Sequence, residues 1–425
     1  MPINLDPVIA AALSSPYLPK VDVDYPGSDT LYVDNRQWLV SFRMLKNTQD
    51  WVIGIAVPKD FYTRDLRSLR DNFLLIFALT TLFVFSVGSL VLRQLKRGLG
   101  SIASATARMH ALDFTPTQLT ESFHDITEVQ IEIERAKTSL RALSKYVPLD
   151  LVRNLYRANR EPALGGELVE LSIMFSDIEG FTTLAEKLAP QVLADALGLY
   201  LNAVAQGVQS TGGTVDKFIG DSVMAFWNAP NRIQNHPSRA CHSVLACMHN
   251  LEDLYKSIAW QPQPPLATRY GLHVATVVVG HFGAPDRFNY TALGDGVNLA
   301  SRLEGLCKLY GVSVLASEAF VTRAGDDFAF RLLDKVAVKG KTEGVYVYEF
   351  LGTTDDASTA GEERKASIAA YDIALQAYFN RQFKLALEIL SPYSGLKPSA
   401  ILAERCRHLL IAPPPMDWNG IFIAK

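Results

Sequence analysis

Two aspartates, an asparagine–arginine pair and a basic turn are the residues whose types and spacing could do chemistry. In FSDIEGFT (Phe175–Thr182), Asp177 ends an apolar, strand-like run, and Gly180 allows a tight turn into a helix whose free N–H groups could hold phosphate. In DKFIGDSVMAFW (Asp216–Trp227), Asp221 follows Gly220 at the tip of a predicted hairpin. Carboxylates at the ends of adjacent strands could hold a pair of divalent cations, because hard Mg²⁺ or Mn²⁺ takes a few carboxylate oxygens together with substrate phosphate. Taken singly, an Asp before a helix is usually an N-cap and Gly-Asp is usually a turn, so it is the combination that points to metal.

In YTALGDGVNLASRLEGL (Tyr290–Leu306), Asn298 and Arg302 lie four positions apart, hence on one face of a helix. Arg302 could stabilise charge on a transferring phosphoryl group while Asn298 orients a sugar. Asp295, in the GDG turn, reads as a cap for that helix. In VKGKTEG (Val338–Gly344), Lys339 or Lys341 at a strand turn could bind polyphosphate, although either alone reads as a solvated turn. His236, Cys241, His242, Cys247 and His249 crowd one predicted helix, but their spacing matches no usual zinc pattern, and buried small cysteines are the expectation.

The elements that must position these residues run in the order β-α-β-β-α-β. The strand-like segment VELSIMF is followed by a helix near Pro190–Gln209, the pair TVDKFI and SVMAFW, a helix near Pro237–Ser257 and strands near Thr268–Val279. That order predicts an α+β fold with a ferredoxin-like βαββαβ core over residues 165–352.

The rest of the chain is organised around one apolar stretch. Phe73–Leu92 has no charged residue, and about 20 helical residues are enough for a ~30 Å hydrocarbon core, so a transmembrane helix is expected. Basic residues flank it on both sides, and charge alone leaves the orientation open. Before it, strand-like runs at Leu31–Val33, Trp38–Phe42 and Trp51–Val57 predict a small β-rich segment over 1–71. After a mixed connector at 93–125, Ile126, Val129, Ile133, Ala136, Leu140, Leu143 and Val147 form an a/d heptad seam that wants a partner helix. Pro148 ends the pattern, Glu161–Gly166 reads as a linker, and a second polar linker at 353–365 leads to a tail over 366–425 with two amphipathic helical patterns. This tail is expected to pack on the core before it. The chain has 425 residues and a formal charge of −3, which suits several segments and provides no basic field for nucleic acid. Four cysteines without a CxxC pair argue against a disulfide framework.

FSDIEGFT, DKFIGDSVMAFW, the TALGDGVNLASR run and VKGK, in this order and spacing, resemble the catalytic domain of class III nucleotidyl cyclases. The resemblance implies conversion of ATP to 3′,5′-cyclic AMP and pyrophosphate by a head-to-tail homodimer with its sites at the subunit interface. It places the metal-binding carboxylates on Asp177 and Asp221, the purine-selecting lysine on Lys217 and the second purine contact on Thr291. The threonine resembles the Thr-bearing IIIb subgroup, and its hydroxyl can accept from an adenine amino group. The same likeness puts the transition-state pair on Asn298 and Arg302 and the triphosphate lysine on Lys339. It implies that metal ligands of one copy face the purine and transition-state residues of the other. Ala275 and His281 depart from the family, which often has Gly and Asn there. Residues 1–71 resemble the membrane-proximal end of Cache-type sensors, in truncated or reduced form, and 93–125 resemble a HAMP connector. The expectation is an adenylyl cyclase anchored in the inner membrane with its catalytic domain in the cytoplasm. Its rivals are a guanylyl cyclase, which Lys217 opposes, and an inactive cyclase-like dimerisation scaffold.

Overall fold

The computed structural model describes residues 5–118, 123–144, 146–147, 151–153, 161–257, 259–260, 264–337, 344–359 and 361–423. It divides into two compact units, Met1–Thr138 and Ser139–Lys425.

The first unit begins with α1 (Pro7–Leu13), capped by Asp6, whose Oδ1 accepts from the Val8 N–H at 2.8 Å. Strands β1 (Gly27–Val33), β2 (Arg36–Met44) and β3 (Val52–Pro58) form an antiparallel sheet in that order. Asp34 and Asn35 both adopt positive φ, which gives the β1–β2 hairpin a two-residue turn that follows the strand twist. Ala12, Val21, Val40 and Phe42 make its small core. From Pro58 the chain enters α2 (Lys59–His110), one helix of 52 residues that includes Phe73–Leu92 and extends through the first half of the mixed connector. Nearly every residue of that apolar stretch is exposed.

Helix α3 (His124–Leu143) carries the heptad seam. Within its own chain it buries a neighbouring strip instead: Gln130 and Lys137 are buried, whereas Val129, Leu140 and Leu143 stay exposed. Gln130, Ile133 and Glu134 line a small cavity with Ser101, Ile102 and Ala105 of α2. The Lys137 ammonium is satisfied by Glu134 Oε1 and Thr117 Oγ1, each at 2.7 Å. Pro148 lies outside the described residues.

The sheet of the second unit opens with β4 (Gly165–Ile178), which begins inside the segment read above as a linker. It is followed by α4 (Phe181–Ala185), α5 (Pro190–Ser210), β5 (Thr214–Ile219), β6 (Ser222–Trp227), α6 (His236–Lys256) and β7 (Thr268–Ala284). These strands lie in the order β7-β4-β6-β5 with antiparallel neighbours, the arrangement a βαββαβ chain gives when each crossover packs on one face. Alternate residues of β4 serve two cores: Met174 and Ile178 pack with α5 and α6, while Ile173 and Phe175 pack on the opposite face. All four cysteines are free and buried.

Next, β8 (Arg287–Leu293) folds back on β7, and α7 (Asp295–Tyr310) crosses the face of the sheet opposite α5 and α6. Its approach to β7 depends on Gly271, where a Cβ would lie 2.3 Å from the Ala300 carbonyl and the Glu304 nitrogen. Ala275 is accommodated the same way, because Gly296 faces it on α7. His281 stacks edge-on against Phe288 and Tyr290. The sheet then extends from β7 through β9 (Val314–Ser317), with α8 (Glu318–Ala324) leading to β10 (Phe328–Ala337) and β11 (Val345–Thr353).

The second polar linker is partly helical. Thr353 and Asp356 form a reciprocal capping box that starts α9 (Thr354–Thr359). The tail has three helices where the sequence pattern predicted two: α10 (Glu362–Phe379), α11 (Phe383–Leu390) and α12 (Lys397–Ile411). Arg381, in the left-handed region at φ 62, makes the first break. A single core joins Leu303, Cys307 and Tyr310 of α7 to Tyr371, Leu375, Leu390 and Leu402 of the tail. The final strand β12 (Phe422–Ile423) pairs in parallel with the β10 edge at Val336 and Ala337.

Candidate active site

Asp177 is the penultimate residue of β4, and Asp221 sits in the two-residue turn between the neighbouring strands β5 and β6. Gly220, at φ +65, supplies the conformation this turn requires. Reciprocal bonds between their chain neighbours bring the two carboxylates together: the Ile178 N–H, next to Asp177, reaches Asp221, and the Ser222 hydroxyl, next to Asp221, reaches Asp177. Burial and then repulsion by Asp177 push the Asp221 carboxyl above its ordinary range, against the pull of the Ile178 N–H, which donates to Asp221 Oδ2 at 3.2 Å. Ser222 Oγ donates to Asp177 Oδ1 at 2.5 Å and Arg269 Nη2 donates to Asp177 Oδ2 at 2.8 Å. Two carboxylates held this close, one of them repelled by the other, form an oxygen donor set that suits a hard divalent cation, so the residues fit the Mg²⁺ or Mn²⁺ that the sequence implied. Among the described residues no group of three or more His, Cys, Asp or Glu side chains could hold a metal ion.

Arg269 on β7 and Glu304 on α7 belong to this site and were missed in the sequence. Arg269 Nε lies 3.0 Å from Glu304 Oε1 as an ion pair, though off hydrogen-bond alignment. Burial pushes the Glu304 carboxyl up to about 7; Arg269 opposes this, and Asp177 and Asp221 add repulsion. The signal was available: Glu304 stands four residues after buried Ala300, on the inner face of α7 where an acid needs a partner.

Lys217 on β5 and Thr291 on β8 meet although 74 positions separate them, with Lys217 Nζ donating to Thr291 Oγ1 at 3.0 Å. Asn298 and Arg302 project from α7, Asn298 exposed and Arg302 half-buried, and among the described residues neither has a hydrogen-bond or ion-pair partner. Lys339 and Lys341 lie outside the described residues. The helix after Gly180 is only five residues long. His236 hydrogen-bonds Ser172 through Nδ1 at 2.7 Å, and His242 stacks edge-on with Phe328, so these two members of the His/Cys cluster have separate partners.

A ferredoxin-like core with two carboxylates clustered at adjacent strand ends is the framework on which the comparisons bear. Residues 167–351 match the family model for the adenylate and guanylate cyclase catalytic domain. "Adenylate cyclase 1" of Rhizobium meliloti (strain 1021) is 32% identical over 337 residues, 77% of this chain and 51% of that protein. "Adenylate cyclase" of Anabaena cylindrica is 31% identical over 230 residues, 52% of this chain and 45% of that protein. The chain thus spans about half the length of these curated relatives. The crystal structure of the adenylyl cyclase CyaB from P. aeruginosa is 33% identical, covering 45% of this chain and 99% of that one, with a TM-score of 0.40.

Proposed function

We propose that this chain is a membrane-anchored adenylyl cyclase that converts ATP to 3′,5′-cyclic AMP and pyrophosphate at the interface of a homodimer. The observation that carries the reading is the convergence of Asp177 and Asp221 at adjacent strand ends, through the crossed Ile178–Asp221 and Ser222–Asp177 hydrogen bonds, within a segment that matches the cyclase catalytic domain. The curated relatives named as adenylate cyclases support it.

In this reading Asp177 and Asp221 hold two Mg²⁺ or Mn²⁺ ions. When bound, such ions lower the pKa of a ribose 3′-hydroxyl and neutralise the leaving pyrophosphate. Asp177 is oriented for that role by Ser222 and Arg269, and the Ile178 N–H fixes one oxygen of Asp221. Lys217 and Thr291 receive the purine edge. Arg302 stabilises charge growing on the α-phosphoryl oxygens, Asn298 orients the ribose, and Lys339 binds the triphosphate. No side chain is assigned as a general base; the 3′-hydroxyl proton passes to water or to substrate phosphate. The unpartnered amide and guanidinium of Asn298 and Arg302 suit groups that meet a nucleotide held by a second copy. Thr291 supports reading the chain as a member of the Thr-bearing IIIb subgroup.

Residues 1–71 are read as a Cache-like extracytoplasmic segment, 73–92 as a single span of the inner membrane, 93–125 as a HAMP-like connector and 126–147 as a dimerising coiled coil. The exposed apolar helix at 73–92 and the exposed Val129, Leu140 and Leu143 support the span and the dimer seam. The catalytic domain, 165–352, and the tail are cytoplasmic.

The test is product formation by the full-length chain in membranes, given ATP or GTP with Mg²⁺ or Mn²⁺. Cyclic AMP from ATP is expected. Asp177→Ala should lose at least about a hundredfold in rate, the scale of removing a positioned electrostatic group. Normal turnover in Asp177→Ala would defeat the two-metal assignment, and cyclic GMP as the main product would defeat the purine assignment.

A further inference from the structure

Asp216 directly precedes Lys217, and consecutive residues of a regular strand point to opposite faces. Here they do not. The pairing of β5 with β6 slips between Val215 and Lys217, so Asp216 is the extra residue of a β-bulge, and both side chains turn toward Thr291 on β8. The Asp216 side chain is only 1% exposed. Its Oδ2 accepts from the Thr291 hydroxyl at 2.5 Å, and its Oδ1, without a hydrogen-bond partner, lies 3.5 Å from Lys217 Nζ.

These contacts determine the direction of each hydrogen bond. A threonine hydroxyl has one proton and two lone pairs. The proton is committed to Asp216, and one lone pair is filled by the Lys217 ammonium. What remains for a ligand is a single acceptor site. Lys217, with no lone pair, presents only donors. The Lys217–Thr291 edge therefore reads as donor then acceptor, matching the N1 acceptor and 6-amino donor of adenine. A 6-oxopurine presents the reverse, an N1–H and a carbonyl oxygen.

We propose that Asp216 sets the purine specificity of this site as a positioning residue: by holding the Thr291 hydroxyl proton, it makes that oxygen an obligatory acceptor and so selects a 6-aminopurine nucleotide over a 6-oxopurine one. The inference rests on the reading of Lys217 and Thr291 as the purine contacts. Asp216 itself touches no substrate.

The experiment compares ATP with inosine triphosphate, which differs only in carrying oxygen in place of the 6-amino group. Both compete against a ribose-labelled fluorescent ATP for the full-length protein, and kcat and KM are measured in parallel. The wild-type chain should prefer ATP. Asp216→Asn can donate an amide N–H to Thr291 and so free its hydroxyl to donate outward, and Asp216→Ala leaves the hydroxyl undirected. In both, the ATP-to-inosine-triphosphate binding ratio should fall about 10- to 100-fold, the scale of one buried directional hydrogen bond. The change should appear in KM more than in kcat. Asp216→Glu, which keeps an accepting carboxylate, should restore the preference. A general loss of structure would weaken both nucleotides alike, so the ratio isolates the role of Asp216.

An unchanged ratio in folded Asp216→Asn or Asp216→Ala overturns the proposal. If neither folds, Thr291→Val decides: with the hydroxyl gone the preference must collapse, and its survival overturns the proposal. A wild-type chain that prefers ATP in binding but makes no cyclic AMP, and whose ratio still collapses in the Asp216 variants, supports this inference while sinking the reaction proposed above.

Discussion

Replacing Arg405 by Met should loosen the C-terminal tail from the catalytic fold by about 3 kcal/mol. Arg405 on α12 pairs with Asp334 on β10; their side chains are 11% and 1% exposed. Asp334 Oδ2 also accepts from the Tyr310 hydroxyl at 2.5 Å, and its Oδ1 accepts from the Lys335 N–H at 2.8 Å. The Arg405 guanidinium lies over the Phe422 ring of β12 and within 5.8 Å of the Tyr310 ring centroid. Removing one member of a buried ion pair destabilises by about 3–5 kcal/mol, because the remaining charge has lost its counter-charge. Two donors stay on Asp334, so the lower end applies. The assay is hydrogen exchange of the full-length protein, read at the backbone amides of α12. Opening with a penalty reduced by about 3 kcal/mol means exchange faster by about a hundredfold. Asp334→Leu combined with Arg405→Met should recover much of the loss, since an apolar pair of similar volume leaves no buried charge. Unchanged α12 protection in Arg405→Met, or a double variant as loose as the single one, would refute the reasoning.

Glu304, held near 7 when folded and near its ordinary 4.5 when unfolded, contributes stability that is fully present below about pH 4.5 and is lost as pH rises through about 7. The ceiling is about 3 kcal/mol; partial exposure reduces it to about 1–2 kcal/mol, so in chelator the denaturant midpoint should fall from pH 5 to pH 8 and flatten in Glu304→Gln. Equal slopes in the two proteins would count against the assignment. Gly271→Ala should destabilise the catalytic unit by about 1–3 kcal/mol, since its Cβ would lie 2.3 Å from backbone atoms of α7, and a variant that melts with the wild type would show that α7 can move aside. Adding Mg²⁺ or Mn²⁺ should raise the melting temperature of the wild-type chain more than that of Asp221→Asn, because cations that bind only the folded state stabilise it by mass action.

The order of the catalytic elements was legible because their apolar periodicity changes between two and 3.6 residues at each turn signal, and the strands and helices from β4 to β7 fall close to their expected bounds. Asp177 and Asp221 were legible as well, since strand ends and Gly-Asp turns have local signatures. The helical start of the second linker was harder to see, because its capping box is built from threonine and aspartate, residues that read equally as loop. The heptad seam identified α3, yet which strip of α3 the chain buries for itself depended on the residues α2 sets opposite.

The amino-acid sequence alone determined what is local: the alternation that builds the sheet, the glycines that turn it, and the carboxylates at its strand ends. Tertiary structure decided what depends on distant segments meeting, namely the Arg269 and Glu304 pair behind Asp177, the tail fused to α7, and the bulge that turns Asp216 and Lys217 together toward Thr291. Neighbouring strand residues point apart by default, and only the slipped pairing with β6 brings these two to one face.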